Sequence, residues 1–93
     1  PLQIMEKCAE GTVLAEQYAA KGSVLAVSDA GCAAVLCKAA LQAASLNVFI
    51  NTKLMTDRAR AAALDARAGA LLAEFVPRAD EVFSAVSGKL RNK

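Results

Sequence analysis

Histidine is absent from this 93-residue chain. That gap removes every mechanism in which the chain itself would supply a histidine base or ligand, which covers serine and cysteine triads and most catalytic zinc sites. Acid–base work falls instead to aspartate, glutamate or lysine. Tryptophan is also missing, and aromatic residues make up 4% of the sequence. A nucleic-acid binder more often combines a basic stripe with stacking aromatics. Here the formal net charge is only +2, the pI is near 8.7, and basic and acidic residues alternate. Lys89, Arg91 and Lys93 form the one locally basic stretch, which reads as a solvated helix end where cations suit the macrodipole. No nucleic-acid partner is expected.

Cysteine is scarce and odd in number: Cys8, Cys32 and Cys37. No C-x-x-C spacing occurs, so neither a disulfide framework nor a metal site is expected. The three read as small buried apolar residues in a reducing compartment, and the expected localisation is cytoplasmic. Long hydrophobic runs are lacking as well. The longest uncharged stretch, Ala39 to Thr52, is about 14 residues against the ~20 needed to span a bilayer, so no membrane partner is expected. No signal peptide opens the chain. It begins with Pro1 directly on an apolar periodic segment, so the numbering is expected to start inside a longer protein.

Alanine fills the space that these absences leave, at roughly a quarter of all positions within a hydrophobic total of 56%. Such a composition points to closely packed helices. It also means little apolar volume per residue, so a partner surface is expected to complete the core.

Periodicity predicts an all-α helical bundle of about three long helices. The first runs from Leu2 to Lys21, weakened by Gly11 and stopped at Gly22. Ser23 to Val27 reads as an extended link. Ser28 is then the expected N-cap, with Asp29 in the first turn of a helix reaching about Phe49. That second helix is so apolar that burial nearly all round is expected. A loop over Asn51 to Met55 follows. Thr56 is the expected cap of a third helix, which continues toward Ser87 with Gly88 as its stop. Pro77 predicts a kink or break just before it.

Two local features stand out. In Val27-Ser28-Asp29-Ala30-Gly31, the residues form either a capping sequence with a close-packing glycine, or a helix N-terminus open to a pocket. In the second case, free N–H groups could hold an anion and Asp29 could move a proton. In Asn47-Val48-Phe49-Ile50-Asn51, two asparagines share a helical face. Buried amides without partners cost about 1–3 kcal/mol each, so they either cap and cross-link helices or line a ligand cleft.

In order and spacing, Gly22-Ser23, Ser28-Asp29-Ala30-Gly31, Ala33-Ala34, Asn47-Val48-Phe49-Ile50-Asn51 and Thr56-Asp57 resemble the formiminotransferase-cyclodeaminase family. The likeness is to the C-terminal half of its cyclodeaminase / methenyltetrahydrofolate cyclohydrolase domain, and it covers about Pro1 to Ser87. The resemblance implies a single partial domain over residues 1–93. The family's first half, with a glycine-rich segment and an aspartate thought to donate a proton, has no counterpart here, so its main catalytic residue cannot be placed on this chain. Ser28, Asp29, Asn47 and Asn51 match family positions and are the candidate substrate-binding residues, with Asp29 the candidate catalytic one.

The implied substrate is a tetrahydrofolate derivative, with no covalently bound cofactor and no metal. The implied chemistry is ammonia loss with ring closure from 5-formiminotetrahydrofolate, or hydrolysis of the methenyl bridge to 10-formyltetrahydrofolate. Carboxylates and amides can serve both. A homodimer or higher homo-oligomer is expected, and the chain alone is expected to have little activity. The alternative is a non-catalytic helical interaction or dimerisation module.

Overall fold

The computed structural model describes residues 1–92; Lys93, the last residue of the basic tail, lies outside them. Three helices, α1 (Leu2–Lys21), α2 (Val24–Leu54) and α3 (Arg58–Arg91), form an up-down-up bundle joined by two short links. The molecule is a rod with principal extents of 56 × 17 × 15 Å. Among the described residues there is no strand, so the all-α expectation holds.

The caps of α2 and α3 differ from the sequence reading, one lying upstream and the other just downstream of the residue expected to provide it. Ser23, not Ser28, opens α2: its Oγ accepts from the Ala26 N–H at 3.3 Å. Val24 to Val27 are helical rather than extended. Their β-branched bias is overridden because Val27 packs into the core with Ala15, Ala19 and Val82. At the other end α2 runs through Asn51 to Leu54 instead of looping there. Asp57, not Thr56, caps α3, its Oδ1 accepting from the Arg60 N–H at 3.0 Å. The Arg58 guanidinium then donates to the Thr52 and Met55 carbonyls at 2.8 and 3.0 Å, closing the C-terminus of α2. At the far end of the rod, Lys89 donates to the Ala19 carbonyl at 2.9 Å and closes α1.

The core falls into two clusters. One gathers Ala15, Ala19, Val27, Ala30, Ala34, Ala79, Val82 and Val86; the other gathers Met5, Ala9, Leu41, Ala44, Val48, Ala68 and Leu71. A polar waist separates them. Thr12 is buried there and donates to the Cys8 carbonyl at 3.0 Å. Arg78 clamps Glu16 with two bonds, of 2.9 and 2.6 Å, reaches Glu74 at 2.7 Å, and lies 4.8 Å over the Phe75 ring. Lys38 donates to Asp80 at 2.7 Å.

Pro77 sits at this level and does not end the helix: α3 continues to Arg91, past Gly88 too. Proline removes one backbone donor and costs about 3 kcal/mol in a helix interior. The helix persists because its flanking turns are anchored in different clusters, Leu71 in one and Ala79 in the other.

Burial of α2 nearly all round does not hold. Its inner face is buried at Val27, Ala34, Leu41 and Val48, while Leu36 is 68% and Leu25 and Leu54 are each 80% exposed. Within one chain only α1 and α3 are available to cover it. Among the described residues α2 is also the one helix long and apolar enough to cross a membrane, with a mean hydropathy of 1.7 over its most apolar 18 residues. The uncharged-run criterion passed over it because Lys38 interrupts the run. That lysine is tied sideways to Asp80 of α3.

Close approach explains Gly31. A Cβ on Gly31 would stand 2.8 Å from Val86 Cγ1 and 3.2 Å from Val86 Cβ, whereas one on Gly69 would meet nothing within 4 Å. Gly31→Ala is therefore expected to destabilise by about 1–2 kcal/mol, the overpacking cost exceeding the helix-propensity gain. Gly69→Ala is expected to stabilise by about 0.5–1 kcal/mol. Urea unfolding of the two variants checks the opposite signs. Separately, the Arg78 guanidinium holds the Glu16 carboxyl below the usual carboxylate range. The stabilisation is then fully present above the ordinary glutamate pKa of about 4.3 and is lost as pH falls through the lowered value. Thermal melts should show Glu16→Gln with a lower Tm than the parent at pH 7, and with that deficit shrinking toward pH 3.

Candidate functional site

All four candidate residues lie on α2, on different flanks and at different heights. Asp29 is exposed at the edge of a groove of about 450 Å³ between α1 and α2. Gly11, Leu14, Ala15 and Tyr18 of α1 and Ala26, Ala30, Ala33 and Cys37 of α2 complete its lining, so one carboxylate faces a mainly apolar trough. Volumes of roughly 300–1,000 Å³ with few polar groups suit small-molecule ligands. Ser28 is half-buried and opens to the other side, in an apolar groove of about 420 Å³ between α2 and the end of α3 that also holds Phe83 and Leu90.

Neither residue is at a helix terminus. Val24 begins the helix, so the N–H groups after Ser28 are spent within α2 and the open helix N-terminus that was the alternative there does not exist. Gly31 is a close-packing glycine seated on Val86.

Asn47 and Asn51 are both exposed on the last turns of α2. Neither side chain makes a hydrogen bond among the described residues, so Asn51 does not cap the helix and Asn47 does not cross-link it. Both amides are open to solvent, and the burial cost that motivated a partner does not arise. At about 1.5 Å rise per residue, the asparagines stand some 27 to 35 Å along α2 from Ser28 and Asp29. The pairs therefore do not converge within one chain.

The polar groups that do converge were not legible beforehand. Thr52 is buried with its hydroxyl 2.5 Å from Asp65 Oδ1 and 3.1 Å from the Phe49 carbonyl, next to the Arg58 cap. Glu16 and Arg78 are 62 positions apart, and no local pattern joins them. Both constellations are internally satisfied and hold helices together. Cys8 and Cys37 are half-buried neighbours across α1 and α2, and burial pushes the Cys8 thiol up, with Cys37 adding to the effect. A raised thiol is a poor nucleophile. Cys32 is exposed rather than buried. Among the described residues no group of three or more histidine, cysteine, aspartate or glutamate side chains is placed to hold a metal.

A family model described as formiminotransferase-cyclodeaminase matches residues 1–70. A protein of Methylorubrum extorquens named methenyltetrahydrofolate cyclohydrolase is 37% identical over 90 residues, which cover 97% of this chain and 43% of that protein. The chain thus spans less than half the length of this curated relative. No solved structure matches.

Proposed function

This chain belongs to the formiminotransferase-cyclodeaminase family, and on that premise we propose that it is part of a one-carbon folate enzyme that opens the methenyl bridge of 5,10-methenyltetrahydrofolate. The observation that carries the reading is the 37% identity along nearly the whole chain to a protein named for that hydrolysis. It favours hydrolysis over the deaminating chemistry of the same family.

The α1–α2 groove suits such a substrate. Its apolar walls, with Tyr18 and Leu14 on one side, offer a face to a flat heterocycle, and Asp29 stands at the rim. The methenyl carbon belongs to an amidinium-like cation. Water adds to that carbon and both of its protons leave the added oxygen: one goes to N5 as the C–N5 bond opens, and the other is released to solvent with the positive charge, giving the neutral 10-formyl product. Atoms and charge balance with one water consumed and one proton released. A carboxylate beside the cation lowers the energy of the charged centre and can take the proton from water and return it at N5. Asp29 is the group on this groove able to do both. In this role Ser28 has no part, since it opens on the α3 side of α2.

A second reading, a non-catalytic dimerisation module, is favoured by the apolar outer face of α2. The two differ in whether folate binds.

Calorimetric titration with the cationic methenyl form and the neutral 10-formyl form tests the proposal. The parent chain is expected to bind both. Asp29→Asn should weaken the methenyl form at least about tenfold, a charge-assisted contact being worth about 1.5–3 kcal/mol, while changing the 10-formyl form by less than about twofold. Equal weakening of the two forms, or none, removes Asp29 from the role. Absence of folate binding by the parent chain overturns the enzyme reading.

A further inference from the structure

Cys8 and Cys37 stand at one height in the hairpin of α1 and α2. Cys8 lies thirteen residues before Lys21, the last of α1, and Cys37 lies thirteen residues after Val24, the first of α2. The arms run antiparallel and are equally long, so the two cysteines are level, about 20 Å from the link. Both are half-buried. Both line one shallow pocket of about 460 Å³, with Gln3, Ile4 and Lys7 around them. The sequence hides this pair because a whole hairpin separates its members.

The two backbones also come near one another at this height. A Cβ on Gly11, one turn along α1 from Cys8, would stand 2.7 Å from Cys37 Sγ. Gly11 thus leaves a notch that the Cys37 sulfur fills. A disulfide needs Cβ atoms about 3.5–4.5 Å apart, which two helices reach only where small residues let them close up. The Cys8 turn is held from within α1, where the buried Thr12 hydroxyl donates to the Cys8 carbonyl at 3.0 Å. Cys32 shares none of these features: it is exposed and opens on the α3 side of α2, beside Phe83 and Leu90.

We propose that Cys8 and Cys37 are a modification site, a dithiol that a low-molecular-weight disulfide entering their shared pocket converts to an internal disulfide pinning α1 to α2. Burial pushes the Cys8 thiol up, so Cys8 is the slower thiol to attack and acts second. The Cys37 thiolate attacks one sulfur of the reagent and expels the other half as a thiolate. The Cys8 thiolate then attacks the Cys37 sulfur of the mixed disulfide and expels the second half. Two protein sulfurs are oxidised, the two reagent sulfurs are reduced, and the two thiol protons pass to the thiolates released. The new bond closes a loop of about 30 residues and so restrains the unfolded chain. Alanine burial holds α1 weakly, and the redox state of this pair then sets how firmly that helix is held. Cys37 also borders the groove that holds Asp29, so the link fixes the width of that groove at one end.

Oxidised glutathione is the probe, applied to the chain with Cys32→Ser to leave only the pair. Intact mass should fall by about 2 Da, the two thiol hydrogens, with the Cys8 and Cys37 peptides joined. Adding Cys8→Ser or Cys37→Ser should abolish the link and leave a glutathione adduct. Closure of the mixed disulfide should run at least about tenfold faster in the folded chain than in urea, where only random encounter brings the thiols together. The oxidised chain should melt at least about 8 °C above the reduced one. Gly11→Ala keeps both thiols but puts a methyl where the Cys37 sulfur sits, and should slow closure at least about fivefold; closure at the parent rate overturns the notch geometry on which the site rests. The urea comparison decides the matter by itself if Gly11→Ala does not fold. A folded chain that stops at a stable mixed disulfide, a link that forms no faster folded than in urea, or an oxidised chain that melts no higher than the reduced one each overturns the site.

Discussion

Close approach of the helices through small side chains is the constraint on which this fold depends. Of the sixteen buried hydrophobic residues, nine are alanine. Gly31 goes further and lets α2 rest on Val86 with no room for a Cβ. Dispersion falls off steeply with distance, so an alanine core is cohesive only if the backbones come near one another. Near backbones leave interior space for few large residues, Met5, Leu41 and Leu71 among them. Other large apolar side chains are displaced to the outside, where Leu36, Leu46, Ile50 and Phe83 are found. The dry core and the exposed apolar face have a common origin.

Polar pairs do the work that core volume cannot. The waist around Thr12, Glu16, Lys38, Arg78 and Asp80 fixes the axial register of three helices whose alanine faces would otherwise slide. Alanine offers no knob that fits only one hole. A two-pronged Arg78–Glu16 clamp fits one height and orientation only. The same clamp spans the level of Pro77, so the turn with a missing hydrogen bond is tied from the side. At the α2–α3 link, Arg58 and the Thr52–Asp65 pair play the equivalent part.

Helix count, class and the bounds of α1 were legible in the sequence because composition and 3.6-residue periodicity are local properties. The start of α2 was not. Two serines, Ser23 and Ser28, compete as caps, and the choice depends on Val27 reaching a core built from residues on all three helices. Pro77 and Gly88 misled for the same reason: their local cost is overruled by distant packing. Of the candidate residues, Ser28 and Asp29 were read as facing one pocket; the sequence could not reveal that they border grooves on opposite sides of α2. Residues one apart on a helix differ by about 100° of azimuth. The asparagines were read as buried because their helix is apolar, and an apolar helix was equated with a buried one.

That equation fails in an instructive way for α2. A helix apolar on two opposite faces has only its flanks left for polar groups. Asp29 borders one groove, Ser28 the other, and Asn47 and Asn51 continue the first flank further along. Such a helix cannot gather four polar side chains at one height, because each turn gives a flank one position. Convergence of chemistry on α2 must come from a neighbouring element, as α1 brings Leu14 and Tyr18 to the groove that Asp29 borders.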